Sequence, residues 1–148
     1  MNSLVYFVGA FIIIRALYSF LFPSMLAENS LSLGQIREIE KTGTFNKLKV
    51  TLLDVRTSEE VKGGRIGKAV NVPVGELEQD LALAPDLFKN KYGFNLPKHD
   101  SKTEVLLVYC KSGMRTRRAI DILSKREYKD NLYAYFGGWD EYSNPNTD

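Results

Sequence analysis

The chain has 148 residues, 44% of them hydrophobic and 26% charged, with a formal net charge of +2. That length suits one domain with chain left over at the ends, and that balance suits a unit able to bury a core. The small charge, without basic runs, gives no reason to expect nucleic-acid binding; the single cysteine and single histidine exclude an intramolecular disulfide and a Cys/His zinc cluster.

The first predicted element is the apolar run from Leu4 to Phe22, interrupted by one charge, Arg15. As a helix it would span about 28 Å, close to the hydrocarbon thickness of a bilayer. Its Leu, Ile, Val and Phe residues favour insertion by roughly 4–7 kcal/mol, against about 3 for a central arginine. Residues 1–27 are therefore expected to be a hydrophobic membrane anchor or targeting segment with its linker, and 28–148 the domain. A cleaved signal peptide fits less well, because no basic stretch precedes the run and Arg15 interrupts it. The absence of acids before Glu28 also suits a mitochondrial presequence, and an anchor and a mitochondrial address can coexist. Membrane association through residues 4–22, with the mitochondrion as leading compartment, is the expectation.

From Leu31 the pattern changes. Ser32 can cap a short helix carrying Ile36 and Ile39 on one face. "KLKVTLLDV" alternates and then turns wholly apolar, a strand entering a buried sheet. Thr57 with Glu60 three residues on forms a capping box for another short helix. "AVNVP" is a brief strand stopped by Pro73. Gly75 to Tyr92 reads as helical in two pieces divided at Pro85, followed by a polar loop holding His99, read as a solvated residue. "EVLLVY" is the most apolar strand and should lie centrally. Met114 to Arg126 places Ala119, Ile120 and Leu123 on one helical face; "NLYAYF" makes a last strand, and "GGWDEY" a terminal helix. Strands alternating with helices at these intervals predict an α/β domain with a mainly parallel central sheet flanked by helices, preceded by an N-terminal hydrophobic helix.

Reactive groups in such sheets lie where strands end and helices begin, and Cys110 falls at such a place. A free thiol with a pKa near ~8.5 is mostly protonated at neutral pH, so a working cysteine needs its thiolate stabilised. Histidine is not the expected source. Successive N–H groups of Lys111, Ser112, Gly113 and Met114 can instead curl into an anion-binding nest at a helix start. Gly113 permits the curvature, and Arg115 supplies a planar cationic donor that could close the ring round the sulfur. The opposing reading makes Cys110 a small inert residue at a strand end.

The loop "CKSGMR" resembles the Cys-x-x-Gly-x-Arg active-site loop of the rhodanese family of sulfurtransferases. "LLDVRTSEEV" is similar to the family's Asp-Val-Arg strand and following Glu, matched at Asp54, Val55, Arg56 and Glu60. "GRIGKAVNVP" matches a further family pattern, with Arg65, Gly67 and Lys68 departing from it. "YFGGWDEY" resembles the terminal Gly-Gly-Trp signature at Gly137, Gly138 and Trp139, and the intervening "LAPDLFKNKYGFNLP" looks like the insertion of the small single-domain type. The pieces come in family order over roughly Leu31 to Tyr142.

The resemblance implies a sulfurtransferase moving sulfane sulfur from a donor such as thiosulfate to a thiol or cyanide acceptor. Cys110 would be the catalytic nucleophile, forming a persulfide, with Lys111, Ser112, Gly113, Met114 and Arg115 binding substrate and no cofactor or metal required. The expected partners are a small-molecule sulfur donor and a thiol acceptor. Asp54, Arg56, Glu60 and Trp139 read as scaffold. Two alternatives stand beside it: a phosphatase, disfavoured because Arg115 lies one residue closer to the cysteine than a phosphate cradle requires, and a non-catalytic, membrane-tethered binding or sulfur-sensing module of the same fold.

Overall fold

The computed structural model describes residues 29–144 and 146. The expected anchor or targeting segment with its linker, residues 1–27, lies outside them. Among the described residues no helix is long and apolar enough to cross a membrane.

The chain forms α1 (Leu33–Thr42), β1 (Thr44–Phe45), β2 (Leu48–Asp54), α2 (Ser58–Lys62), β3 (Val70–Asn71), α3 (Val74–Asp80), α4 (Pro85–Tyr92), β4 (Glu104–Tyr109), α5 (Met114–Ser124), β5 (Leu132–Tyr135) and α6 (Gly138–Tyr142). The sheet order is β1-β2-β4-β5, with β3 also pairing β2. β4 lies between β2 and β5 and pairs both in parallel, while β1 runs antiparallel to β2. The central place expected for "EVLLVY" is therefore the observed one, and the sheet is mixed.

β1 went unforeseen for a physical reason. Two residues are too few to show a period, and its turn carries positive φ at both central residues, Asn46 (50°) and Lys47 (67°), without the glycine that usually announces such a turn. Ser32 caps α1 as expected, Gln35 completing a capping box not expected from the sequence, and the expected Thr57–Glu60 box opens α2. α5 stops at Ser124, two residues short of expectation.

The sheet buries both faces. Leu106 and Val108 of β4 point to the side covered by α3, α4 and α5, with Leu77, Phe88, Ala119 and Leu123. Leu107 and Tyr109, alternating with them, point to the side of α1, with Ile36, Ile39 and Ile66. Cys110 continues the first series, so its side chain arrives under α5. Fully burying a side chain such as Leu106 or Leu107 stabilises by roughly 1.5–3 kcal/mol, which makes β4 a rigid rod behind the cysteine.

Beneath the loop sits a buried polar knot. The Arg56 guanidinium, 2% exposed, meets the fully buried Asp54 carboxylate through Nη2 at 2.6 Å and Nε at 3.0 Å. The Tyr109 hydroxyl donates to Asp54 at 2.7 Å and accepts from the Ile66 N–H at 3.0 Å. Burial and the Asp54 charge push the Tyr109 phenol upward, so it stays a neutral donor. These residues hold β2, β4 and the loop after α2 in register, in keeping with a scaffold role. His99 is exposed as expected. The insertion around α4 ends at Pro97 and Lys98, whose carbonyls accept from the Tyr128 hydroxyl and the Asn131 amide at the amino end of β5, the end remote from Cys110.

Candidate active site

β4 delivers Cys110 to its carboxyl end, and the chain turns through Lys111, Ser112 and Gly113 into α5. Gly113 occupies the N-cap position with φ of 99° and has no side chain with which to cap the helix. The Cys110 sulfur takes that place. It accepts from the Gly113 N–H at 3.1 Å and lies among the N–H groups of Ser112 and Thr116, the last being the third residue of the helix, where a capping side chain would bond. The expected nest is thus present, and its anion is the sulfur itself.

Burial pushes the Cys110 thiol upward, yet its pKa lies below the ordinary value. The Thr116 hydroxyl and N–H, then the N–H groups of Gly113 and Ser112, outweigh the desolvation. Cys110 is nevertheless only 1% exposed. Its sulfur is activated and enclosed at once.

Gly113 cannot be replaced cheaply. A Cβ there would stand 2.8 Å from the Phe136 carbonyl oxygen, on a backbone already in the left-handed region. The other wall of the loop is α6. Its Trp139 and Asp140 N–H groups donate to the carbonyls of Cys110 and Lys111 at 2.9 and 3.0 Å. This contact requires Gly138, whose φ is 63° and whose Cβ would lie 2.5 Å from both carbonyl oxygens. Trp139 in turn covers Arg56, ring centroid to guanidinium carbon 4.9 Å. The Gly-Gly-Trp motif, read from sequence as an identifier of the fold, is a clamp on the cysteine loop.

Arg115 differs from expectation. Its Nη1 and Nη2 donate to the two carboxylate oxygens of Glu60 at 2.6 and 2.8 Å, so Glu60 rather than the sulfur receives the guanidinium. Glu60 is simultaneously bonded by the Thr57 N–H at 2.9 Å. Its carboxyl is held down at about 2, first by Arg115 and then by Thr57 against the opposing effect of burial. Arg115 contributes positive charge beside Cys110 rather than a hydrogen bond to it. Lys111, Ser112 and Met114 are exposed round the loop, Met114 at 80%. Arg117, exposed on α5, lies over the Phe136 ring at 4.7 Å.

The structure gathers Cys110 and its loop at the start of α5, and it adds two relationships not expected from the sequence: Glu60 as the partner of Arg115 and Thr116 as a neighbour of the sulfur. Both signals were present: a carboxylate fixed by a capping box, and a threonine three residues after a glycine cap. No group of residues suited to hold a metal occurs among the described residues.

The family model described as "Rhodanese-like domain" matches residues 40–145. A mitochondrial protein of Schizosaccharomyces pombe is 38% identical over 109 residues, 74% of this chain and 73% of its own length. The Homo sapiens thiosulfate:glutathione sulfurtransferase is 32% identical over 118 residues, 80% of this chain and 96% of its own. Among solved structures, a human single-domain sulfurtransferase superposes with a TM-score of 0.66 at 30% identity, covering 78% of this chain and 95% of that one. The sulfur-capped helix, its glycine clamp and these likenesses converge: the chain belongs to the rhodanese-like domain family.

Proposed function

We propose that this protein is a sulfurtransferase that carries sulfane sulfur on Cys110 from a donor of the thiosulfate type to a small thiol. The observation that carries the reading is the Cys110 sulfur seated on backbone N–H groups at the start of α5, its thiolate favoured without a histidine. The relative named as a thiosulfate:glutathione sulfurtransferase supplies the substrate class.

The thiolate attacks the outer sulfur of the donor. A new S–S bond forms at Cys110 as the donor's own S–S bond breaks, its electron pair leaving on sulfite. An acceptor thiolate then attacks the outer sulfur of the persulfide and returns the electron pair to Cys110. Each transfer is thereby divided into two displacements. The nest suits both resting states, since each keeps negative charge on sulfur. Lys111, Ser112, Gly113, Met114 and Arg115 form the rim at which a dianionic donor would arrive, with Lys111 and Arg115 supplying attraction.

For the chain as a whole, residues 1–27 are proposed to anchor or target a domain spanning 28–148, on the apolar run from Leu4 to Phe22. The mitochondrial relative favours that organelle. A reactive thiol with no second cysteine suits a reducing compartment, so the domain is assigned to the matrix or cytosolic side.

A non-catalytic module draws its support from the 1% exposure of Cys110. Mass spectrometry after incubation with thiosulfate separates the two. Sulfur transfer requires a gain of one sulfur, about 32 Da, on the peptide containing Cys110, removable by cyanide or glutathione. A chain that takes up no sulfur is the module.

A further inference from the structure

Thr116 is completely buried, and its hydroxyl has no hydrogen-bond partner of ordinary geometry in the resting structure, although it is among the groups that favour the Cys110 thiolate. That is unusual. A threonine inside a helix normally turns its hydroxyl back to the carbonyl four residues earlier, here that of Ser112. Leaving a buried hydroxyl unmatched costs roughly as much as a lost hydrogen bond. Its own N–H is one of those facing the Cys110 sulfur, which places the side chain at the same end of α5 as the sulfur. Arg115, the residue expected to close the ring, is occupied by Glu60.

We propose that the Thr116 hydroxyl is a catalytic donor to the Cys110 sulfur, completing on the helix side the cradle that Arg115 leaves open. The inference rests on the sulfur-transfer reading and adds a residue to it. The orphaned hydroxyl has a partner whenever Cys110 is anionic: in the resting thiolate, and again when the acceptor removes the outer sulfur and the electron pair of the breaking S–S bond returns to Cys110. The charged groups near this contact are Arg115 with its partner Glu60, and the exposed Lys111 at the rim. The hydroxyl is the neutral donor among them.

The two half-reactions respond differently to its loss. A less stabilised thiolate is scarcer at neutral pH but intrinsically more nucleophilic, so sulfur uptake is partly compensated. As a leaving group it is simply worse, so sulfur delivery is not.

The test uses the single cysteine of the chain. Ultraviolet thiolate absorbance is titrated in the full protein and in Thr116→Val and Thr116→Ser, each corrected with the matching Cys110→Ser variant. Thr116→Val is expected to raise the thiol midpoint by about one pH unit, a tenfold loss of thiolate stabilisation. It should slow delivery to glutathione about tenfold and uptake from thiosulfate by clearly less. Thr116→Ser keeps the hydroxyl and should stay close to the parent in both. If Thr116→Val does not fold, the comparison of Thr116→Ser with Thr116→Ala carries the same contrast. An unchanged midpoint in the variant lacking the hydroxyl overturns the inference, as does a shift in Thr116→Ser equal to that in Thr116→Val. A parent protein that takes up no sulfur sinks the sulfur-transfer reading instead, while the titration still reports on the hydroxyl.

Discussion

Arg115 and Glu60 meet through two parallel bonds of 2.6 and 2.8 Å, tying the first turn of α5 to the first turn of α2. Glu60 is aimed by the capping box that opens its own helix, so its position is held by Thr57 as well as by Arg115. The pair holds a cation beside Cys110 without letting it collapse onto the sulfur. The site therefore keeps a fixed positive charge for an incoming anion.

Glu60→Gln is expected to release that charge. Transfer from thiosulfate should fall about tenfold in kcat/KM, mainly through KM, because a bidentate charged anchor is replaced by a weaker neutral one. Steady-state kinetics against thiosulfate check this. An unchanged KM would mean that Arg115 plays no part in donor capture.

The same pair makes a statement about pH. The folded Glu60 carboxyl, at about 2, lies below its ordinary value of 4.5, so the stability it contributes is complete above that ordinary value and is lost as pH falls through the folded one. Both side chains are about a third exposed, at 32% and 31%, which reduces the contribution to on the order of 1–2 kcal/mol. Urea unfolding of the parent and Glu60→Gln should differ by that amount at neutral pH and converge towards pH ~2. A difference that persists undiminished in acid would assign it to packing rather than charge.

Gly138→Ala tests the clamp. The new methyl group would meet the carbonyl oxygens of Cys110 and Lys111 at 2.5 Å on a backbone with φ of 63°. Destabilisation on the order of 2 kcal/mol or more is expected, together with a raised Cys110 midpoint as the loop is pushed out of shape. Thermal unfolding and thiolate titration check the two effects. A variant as stable as the parent would show that α6 can move aside freely.

Asp54→Asn separates scaffold from chemistry. It leaves the buried Arg56 without its carboxylate, and breaking a pair of this kind costs about 3–5 kcal/mol. The loss should appear in denaturant unfolding, while the Cys110 midpoint in the remaining folded protein stays near that of the parent. A large shift of the thiol would place Asp54 within the reacting site.

Much of this was legible beforehand. The apolar β4 announced a central strand because every residue from Val105 to Tyr109 had to be buried on two faces. The Ser32 cap and the Thr57–Glu60 capping box were readable because they are local, spanning about one helical turn. Cys110 stood out because strand end, glycine and helix start follow one another directly. What escaped was non-local. Glu60 lies 55 residues from Arg115, and its cap role gave a sufficient local reason for its presence. Gly138 gave no hint of which carbonyls it would face, and β1 was too short to carry a pattern.

The central claim is that Cys110 takes a sulfur atom and keeps it until an acceptor arrives. Sulfite release on mixing with thiosulfate, measured with no acceptor present, tests this most directly. A burst of about one equivalent of sulfite per chain, absent in Cys110→Ser and turning into continuous release once glutathione is added, is the expected result. Sulfite released by Cys110→Ser at the parent rate, or only when donor and acceptor are present together, would contradict it.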